Sequence, residues 1–359
     1  MARRTPIPKP KARKRSPSRS AQATGTLLHL DVFSGIAGNM FLGAVLDAGL
    51  PRKVLEEDLA RLGVEHRLVV TRVKRGALGG RYVDVRVPAA GGRHISADTA
   101  HGAHGAAHGR GLRGICRQIE KAKLTPSVRD RAIEIFEALG HAEARVHQTT
   151  LEKVHFHEVG AADALVDIVG ACVAIHRMGI TQVTSSPVAL GHGMIESAHG
   201  TLPLPAPATL ELLKGLPTVP AHVEWETVTP TGAALLRVLV DEFGSLPAMT
   251  IDAVGYGAGR DRKGPVPNLL RVVKGRRSGI GADRVVALET NLDDLVPEHF
   301  EYLMERLLEA GALDVGLQHL QMKKNRPGFL VRVLARPQHR SVLAQILFAE
   351  STAIGVRSS

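Results

Sequence analysis

The stretch LLHLDVFSGIAGNMFLGAVLDAGL, residues 27–50, decides the fold. Its first half is an apolar run ending in a Ser-Gly turn, and its second half places Met40, Phe41, Val45 and Leu46 at helical spacing. Strand, glycine-bearing loop and helix in that order open a β-α unit. Pro51 begins a second predicted helix that runs to Leu62. Residues 67–74 and 82–87 alternate apolar and polar side chains, as strands with one polar face do.

Further along, residues 93–110 scatter His94, His101, His104 and His108 among glycine and alanine without a period, which predicts a loop suited to transient capture of a cation. From Ser127 to Gln148 the apolar positions mark a long amphipathic helix with Gly140 as a weak point, and a second helix follows at 161–179. Residues 181–190 read as one strand, and the three prolines of GHGMIESAHGTLPLPAPAT (191–209) predict an extended loop before a helix at 207–214. A further helix follows ETVTPTG (226–232). GYGAGRDRKG (255–264) reads as a glycine-rich loop feeding a strand. After a linker near 276–282 the order strand, helix, strand, basic turn, strand, helix is most of a ferredoxin-like domain, whose last strand is expected to be incomplete.

The chain has 359 residues, long enough for two or three cores, and 44% of them are hydrophobic but only 3% aromatic. Leu, Val, Ile and Ala must therefore fill those cores. A formal charge of +11 suggests nucleic-acid binding until its distribution is read. Eight cations and no acid fall in residues 1–25, which leaves the other 334 residues at +3. That basic tail has too little apolar content to order itself, so it is expected to be disordered. Nucleic acid is not the expected partner of the body. No apolar segment follows the arginines as in a secretory signal and none reaches ~18 residues, so no membrane partner is expected and the protein is placed in the cytoplasm. Cys116 and Cys172 lie far apart in apolar contexts and read as free thiols. Histidine is plentiful, with 11 of 17 between His94 and His199, so a bound metal would meet imidazole and carboxylate.

VHFHEVG (154–160) puts His155 and His157 on one face of an extended segment, and Glu158 leads into a helix where Asp163 and Asp167 stand four apart. Such a convergence suits Ni, Zn or Co, with carboxylates completing the charge. A structural pair of surface histidines is the plainer alternative. Glu143 and His147 on the preceding helix share a face, and His192, Glu196 and His199 form a second cluster on a glycine-bounded loop. Small residues Ser34, Gly35, Gly38 and Asn39 between strand and helix offer backbone amides to an anion, without the lysine of a Walker loop. Near the C-terminus Lys323, Lys324 and Arg326 crowd one turn as phosphate anchors do, and Asp293 and Asp294 end a strand with hard oxygen donors.

Taken together, LDVFSGIAGNMFLGAVLDAG, VHFHEVGAADALVDIVG, ESAHGTLPLPAPATLELLKG, TVTPTGAALL, GYGAG, LETNLDDLVPEHFEYLMERLLEAGALDV, MKKNRPG and TAIGVR resemble, in one order from about residue 27 to 357, the LarC family of nickel insertion proteins. The resemblance implies an enzyme that inserts Ni(II) into pyridinium-3,5-bisthiocarboxylic acid mononucleotide, using CTP with Mg(II) or Mn(II), and hands the nickel-pincer product to a racemase or epimerase. A homo-oligomer stays open. On that reading His155, His157 and Glu158 are the catalytic candidates, joined by Asp163, Asp167 and the histidines of loop 93–110 as metal candidates. Ser34, Gly35, Gly38 and Asn39 would line the substrate, Lys323, Lys324 and Arg326 would anchor CTP, and Asp293, Asp294 and Glu298 would hold its metal. Two departures stand out: the family motif Ser-Gly-x-x-Gly-Asp-Met has Asn39 for its aspartate, and the chain stops just after GVR.

The expectation is an α/β (α+β) protein with a tail at 1–25, a larger N-terminal α/β nickel and substrate domain at 26–278, and a partial, truncated ferredoxin-like nucleotide domain at 283–359. Two alternatives remain: a nickel storage or delivery protein without catalysis, and a nucleic-acid-associated protein acting through its tail.

Overall fold

The computed structural model describes residues 25–88, 94–96, 110–156, 162–197, 200–277 and 285–359. The basic tail and most of the histidine-rich loop lie outside them. The chain divides into two compact units, Met1–Gly279 and Ile280–Ser359.

In the first unit, strand β1 (Thr26–Asp31) leads to helix α1 (Gly38–Asp47), and α2 (Arg52–Ala60) follows. Next come β2 (Arg67–Arg75), β3 (Leu78–Pro88), β4 (His94–Ser96), β5 (Arg110–Gly111), α3 (Leu112–Lys121) and α4 (Pro126–Val146). Strand β6 (His155–Phe156) pairs with β5 and precedes α5 (Ala162–Arg177). The rest is β7 (Ile180–Ser185), β8 (Val188–Leu190), β9 (Gly193–Ser197), β10 (Gly200–Leu204), α6 (Pro207–Leu213), β11 (Thr218–Pro220), α7 (Pro230–Leu239), β12 (Glu242–Phe243), β13 (Met249–Ala258) and β14 (Leu269–Arg277).

The main sheet runs β12-β7-β1-β14-β13-β3-β2, with β4 added beside β3. Central β1 is parallel to β7 and antiparallel to β14. Buried on both faces, it reads as an almost unbroken apolar run. Its one imidazole, His29, is buried, sits with Nδ1 2.9 Å from Thr184 Oγ1, and is held neutral because burial lowers its pKa.

Helix α1 is buried from Met40 to Leu46, and α5 from Ala164 to Ile175. Apolar over nearly all of their surface, both are central helices rather than surface ones. Three expectations are corrected here. Gly255 and Gly257 of GYGAG belong to strand β13, and the loop begins only at Gly259: Gly255 and Gly257 point the same way, and a Cβ on Gly257 would stand 1.7 Å from the Met40 carbonyl, so α1 lies directly on the strand. Residues 193–197 and 200–204 pair as antiparallel strands β9 and β10 rather than forming an extended loop. Residues 181–190 are two strands, β7 and β8, in different sheets. The long helix α4 runs unbroken through Gly140.

In the second unit, β15 (Val286–Leu292), α8 (His299–Glu309), β16 (Ala312–Met322), β17 (Arg326–Ala335), α9 (Arg340–Ala349) and β18 (Arg357–Ser358) form an antiparallel sheet ordered β16-β17-β15-β18. That is the ferredoxin-like order. The fourth strand, expected to be incomplete, does pair with β15, over two residues. Phe300, Leu303, Leu307, Leu343 and Leu347 from the helices bury against Leu288, Val331 and Val333 of the sheet.

Candidate functional site

A cleft of about 540 Å³ opens in the first unit, where α1 starts, α5 starts and the paired strands β9 and β10 rise. Its position follows from a clamp between two loops distant in sequence. Ile36 donates its amide to the Thr227 carbonyl at 2.9 Å, and Thr229 donates to the Ile36 carbonyl at 3.2 Å. Thr227 is buried and its hydroxyl is used twice, donating to Ala189 O at 2.8 Å and accepting from Gly191 N at 2.9 Å. Gly35 takes a φ of +88°, and a Cβ there would overlap the Thr227 carbonyl at 1.9 Å, so the turn needs glycine. Beyond the clamp, the Thr229 hydroxyl accepts from Gly232 N at 3.1 Å and caps α7, with Pro230 in its first turn.

Of the residues expected to act, the structure brings four into this cleft: Gly38, Asn39, Asp163 and Asp167. Asp163 and Asp167 share a face of α5, and Gly38 is pressed against the second of them. A Cβ on Gly38 would lie 2.6 Å from Asp167 Oδ2. Asn39 Nδ2 donates to the Val83 carbonyl at 3.4 Å, a bond that the carboxylate of the family motif would be unable to donate. Ser34 is fully buried and, like Gly35, is not among the lining residues.

His157 and Glu158 lie outside the described residues, as do His101, His104 and His108. His94 and His155 are described in backbone only, in β4 and β6. Val154 and Phe156 on either side of His155 are buried in the core, so that strand is anchored. Among the described residues no group of three or more His, Cys, Asp or Glu is arranged to hold a metal ion. Glu143 and His147 pair with each other at 3.4 Å and do not line the cleft. Of the second cluster, Glu196 lines it and accepts from Thr201 Oγ1 at 2.5 Å, His192 is exposed, and His199 falls outside the described residues.

Sequence reasoning missed half of the wall. Asp84, Glu224 and Glu226 join Asp163, Asp167 and Glu196, so six carboxylates line the cleft against the guanidiniums of Arg260 and Arg262. Asp84 accepts from Ser96 Oγ at 2.5 Å and from Arg86 Nε at 2.9 Å. Trp225, the single tryptophan of the chain, stands between the two glutamates. Its Nε1 is buried and has no hydrogen-bond acceptor among the described residues. The visible signal was Glu-Trp-Glu just before the TPTG helix cap, in a chain nearly without aromatic residues.

In the second unit the turn Lys323–Asn325 lies between β16 and β17, with Lys324 and Asn325 at positive φ and all three cations exposed. Arg326 Nη1 reaches Asp293 Oδ2 at 3.4 Å, and Asp294 Oδ1 accepts from Thr352 Oγ1. One cation of the turn region, Arg326, and one strand-end acid, Asp293, 33 residues apart, thus meet. Glu298 is exposed beside the start of α8. No helix among the described residues is long and apolar enough to cross a membrane.

Comparison with known proteins agrees along nearly the whole chain. A protein of Geotalea daltonii is 46% identical over 335 residues, 92% of this chain and 82% of its own length. The "Pyridinium-3,5-bisthiocarboxylic acid mononucleotide nickel insertion protein" of Desulfitobacterium hafniense is 44% identical over 339 residues, 92% of this chain and 80% of that one. Among solved structures, "LarC2, the C-terminal domain of a cyclometallase involved in the synthesis of the NPN cofactor of lactate racemase, apo form" is 41% identical over 21% of this chain and 52% of that chain, at a TM-score of 0.21. The sequence model described as "Nickel insertion protein" matches residues 28–359, and the chain belongs to the nickel insertion protein family.

Proposed function

We propose that this chain inserts nickel into pyridinium-3,5-bisthiocarboxylic acid mononucleotide, with CTP and Mg(II) or Mn(II) as co-substrates, and that it passes the nickel-pincer product to a racemase or epimerase in the cytoplasm. The observation that carries the reading is the carboxylate cleft itself, where Asp163 and Asp167 project from the helix that follows the His155–Glu158 motif. The relative from Desulfitobacterium, 44% identical, carries the name of that reaction.

The chemistry asks for a metal held loosely enough to leave. Oxygen and imidazole donors meet that need better than a thiolate cage does. Cys172 is buried with its thiol pushed up to about 12, so it stays protonated and supplies no competing ligand. Forming one nickel–carbon and two nickel–sulfur bonds releases the ring proton at the metallated carbon, and a base must take it. Glu158, His155 and His157 are the proposed bases, with Asp163 and Asp167 holding Ni(II) beside them. Lys323, Lys324 and Arg326 would hold the triphosphate, and Asp293 and Asp294, hard oxygen donors, suit its divalent cation. When bound, that cation would neutralise phosphate charge.

The test is turnover: full-length protein with Ni(II), the mononucleotide and Mn(II) or Mg(II), with and without CTP, read by mass spectrometry. A nickel adduct that requires CTP is expected, and Asp163→Asn with Asp167→Asn should slow its formation at least about a hundredfold, in the range seen when transition-state charge partners are lost. Nickel that binds but is never transferred would instead favour a storage or delivery protein.

A further inference from the structure

We propose that loop 259–268 and Trp225 form the seat for the nucleotide body of the substrate, with Arg262 and Arg260 taking the 5′-phosphate and the indole face taking the cationic ring. This rests on the reading that the substrate is a pyridinium mononucleotide, and it fixes which way that substrate lies.

The distribution of charge is the first support. Among the described residues lining the cleft, guanidiniums come only from this loop, whereas α5 contributes two carboxylates. A phosphate set at the start of α1 would meet Asp167, which packs against Gly38, so the helix start that the sequence offers to an anion is electrostatically spoiled for one. Loop 259–268 itself carries Arg260, Arg262 and Lys263 against one acid, Asp261.

Rigidity is the second. Gly259 donates its amide to the Asn268 carbonyl at 3.0 Å, and Asn268 Nδ2 donates to the Arg260 carbonyl at 3.0 Å. Arg75 donates to the Gly259 carbonyl through Nε at 3.1 Å and Nη2 at 2.8 Å. The backbone carrying both guanidiniums is held at its two ends, which lowers the entropy lost when they close on a phosphate.

The third is adjacency. Trp225 packs so closely on Gly264 of the same loop that a Cβ there would come within 2.3 Å of the ring, so aromatic face and guanidiniums belong to one wall. A cationic ring over an indole flanked by Glu224 and Glu226 is attracted by both the π-face and the carboxylates. Guanidinium forks match phosphate oxygens in pairs. With phosphate and ring so placed, the reacting edge is left toward Asp163 and Asp167.

Trp225 is the only tryptophan, so its fluorescence reports this site alone. The full chain would be titrated with nicotinic acid mononucleotide and with the corresponding riboside, without nickel or CTP. Saturable quenching is expected from the mononucleotide, with the riboside binding on the order of ten- to a hundredfold more weakly, as loss of charged hydrogen bonds implies. Arg262→Gln, at an exposed position, should remove that difference. Equal affinity for the two probes, an unchanged preference in Arg262→Gln, or absence of saturable quenching would each overturn the proposal. Because neither metal nor CTP is present, phosphate-dependent quenching in a chain that never inserts nickel would sink the proposed function and spare this seat; insertion without quenching would do the reverse.

Discussion

At the scale of single residues, Asp58 shows how a buried carboxylate is held in place for structure. Asp58 is buried and held by both ends of the Arg177 guanidinium, Nε to Oδ2 at 2.6 Å and Nη2 to Oδ1 at 3.0 Å, with Arg61 3.4 Å away. The Arg177 hydrogen bonds hold its carboxyl below the usual carboxylate range, against the opposing effect of burial. A carboxylate whose folded pKa is depressed stabilises the fold above its unfolded pKa, near 3.9, and loses that contribution as pH falls through the folded value. Asp58→Asn should therefore be less stable than the parent at pH 7, with the gap closing as the pH is taken below about 4. Urea midpoints of both chains at pH 7 and pH 3 check it, and a gap that persists undiminished in acid would mean that Asp58 acts through packing and not through its charge.

At the scale of elements, the placement of the cleft depends on helix α1 lying directly against strand β13. Glycine allows this at alternate positions of β13, where Gly255 and Gly257 share the face under α1. The strand β1, the helices α1, α4 and α5 and the β-α-β-β-α order of the second unit were legible because their apolar periodicity is strong. GYGAG was misread because glycine suggests a turn when its spacing of two is ignored, and that spacing is the strand period. The pairing of β9 with β10 was hidden by Pro203, which sits opposite Met194 in a two-stranded ribbon where a missing amide is tolerated, and by Pro205 just beyond the strand. Gly257→Ala should cost at least about 3 kcal/mol, since the added carbon meets the Met40 carbonyl and the Ala44 amide, both backbone. Gly79→Ala, in the same sheet but with open space around its Cβ, should change stability by less than about 0.5 kcal/mol. Comparable urea midpoints for the two variants would refute the close-packing account.

At the scale of the whole molecule, each unit carries its own set of charged groups, and the proposed reaction would divide between them. Carboxylates and an indole line a cleft in the first, and exposed Arg326 meets Asp293 at a sheet end in the second. From sequence, spacing identified Asp163 and Asp167 because they lie on one helix, and composition identified Lys323 and Lys324 because three cations crowd one turn. Asp84, Glu224, Trp225, Arg260 and Arg262 escaped because they come from separate strands and loops, and only the tertiary clamp through Thr227 and the Asn268-pinned loop gathers them. This division makes a separable prediction. Lys323→Glu with Lys324→Glu in the full chain should raise the CTP concentration needed for half-maximal insertion at least about tenfold, because reversing cations that face a triphosphate removes charge-assisted bonds and adds repulsion. Both side chains are exposed and outside the core, so the fold should tolerate them. Trp225 quenching by nicotinic acid mononucleotide should be unchanged in the same protein. If the quenching weakened together with CTP use, the nucleotide and the pyridinium substrate would be competing for one set of cations, and the assignment of CTP to the second unit would fall.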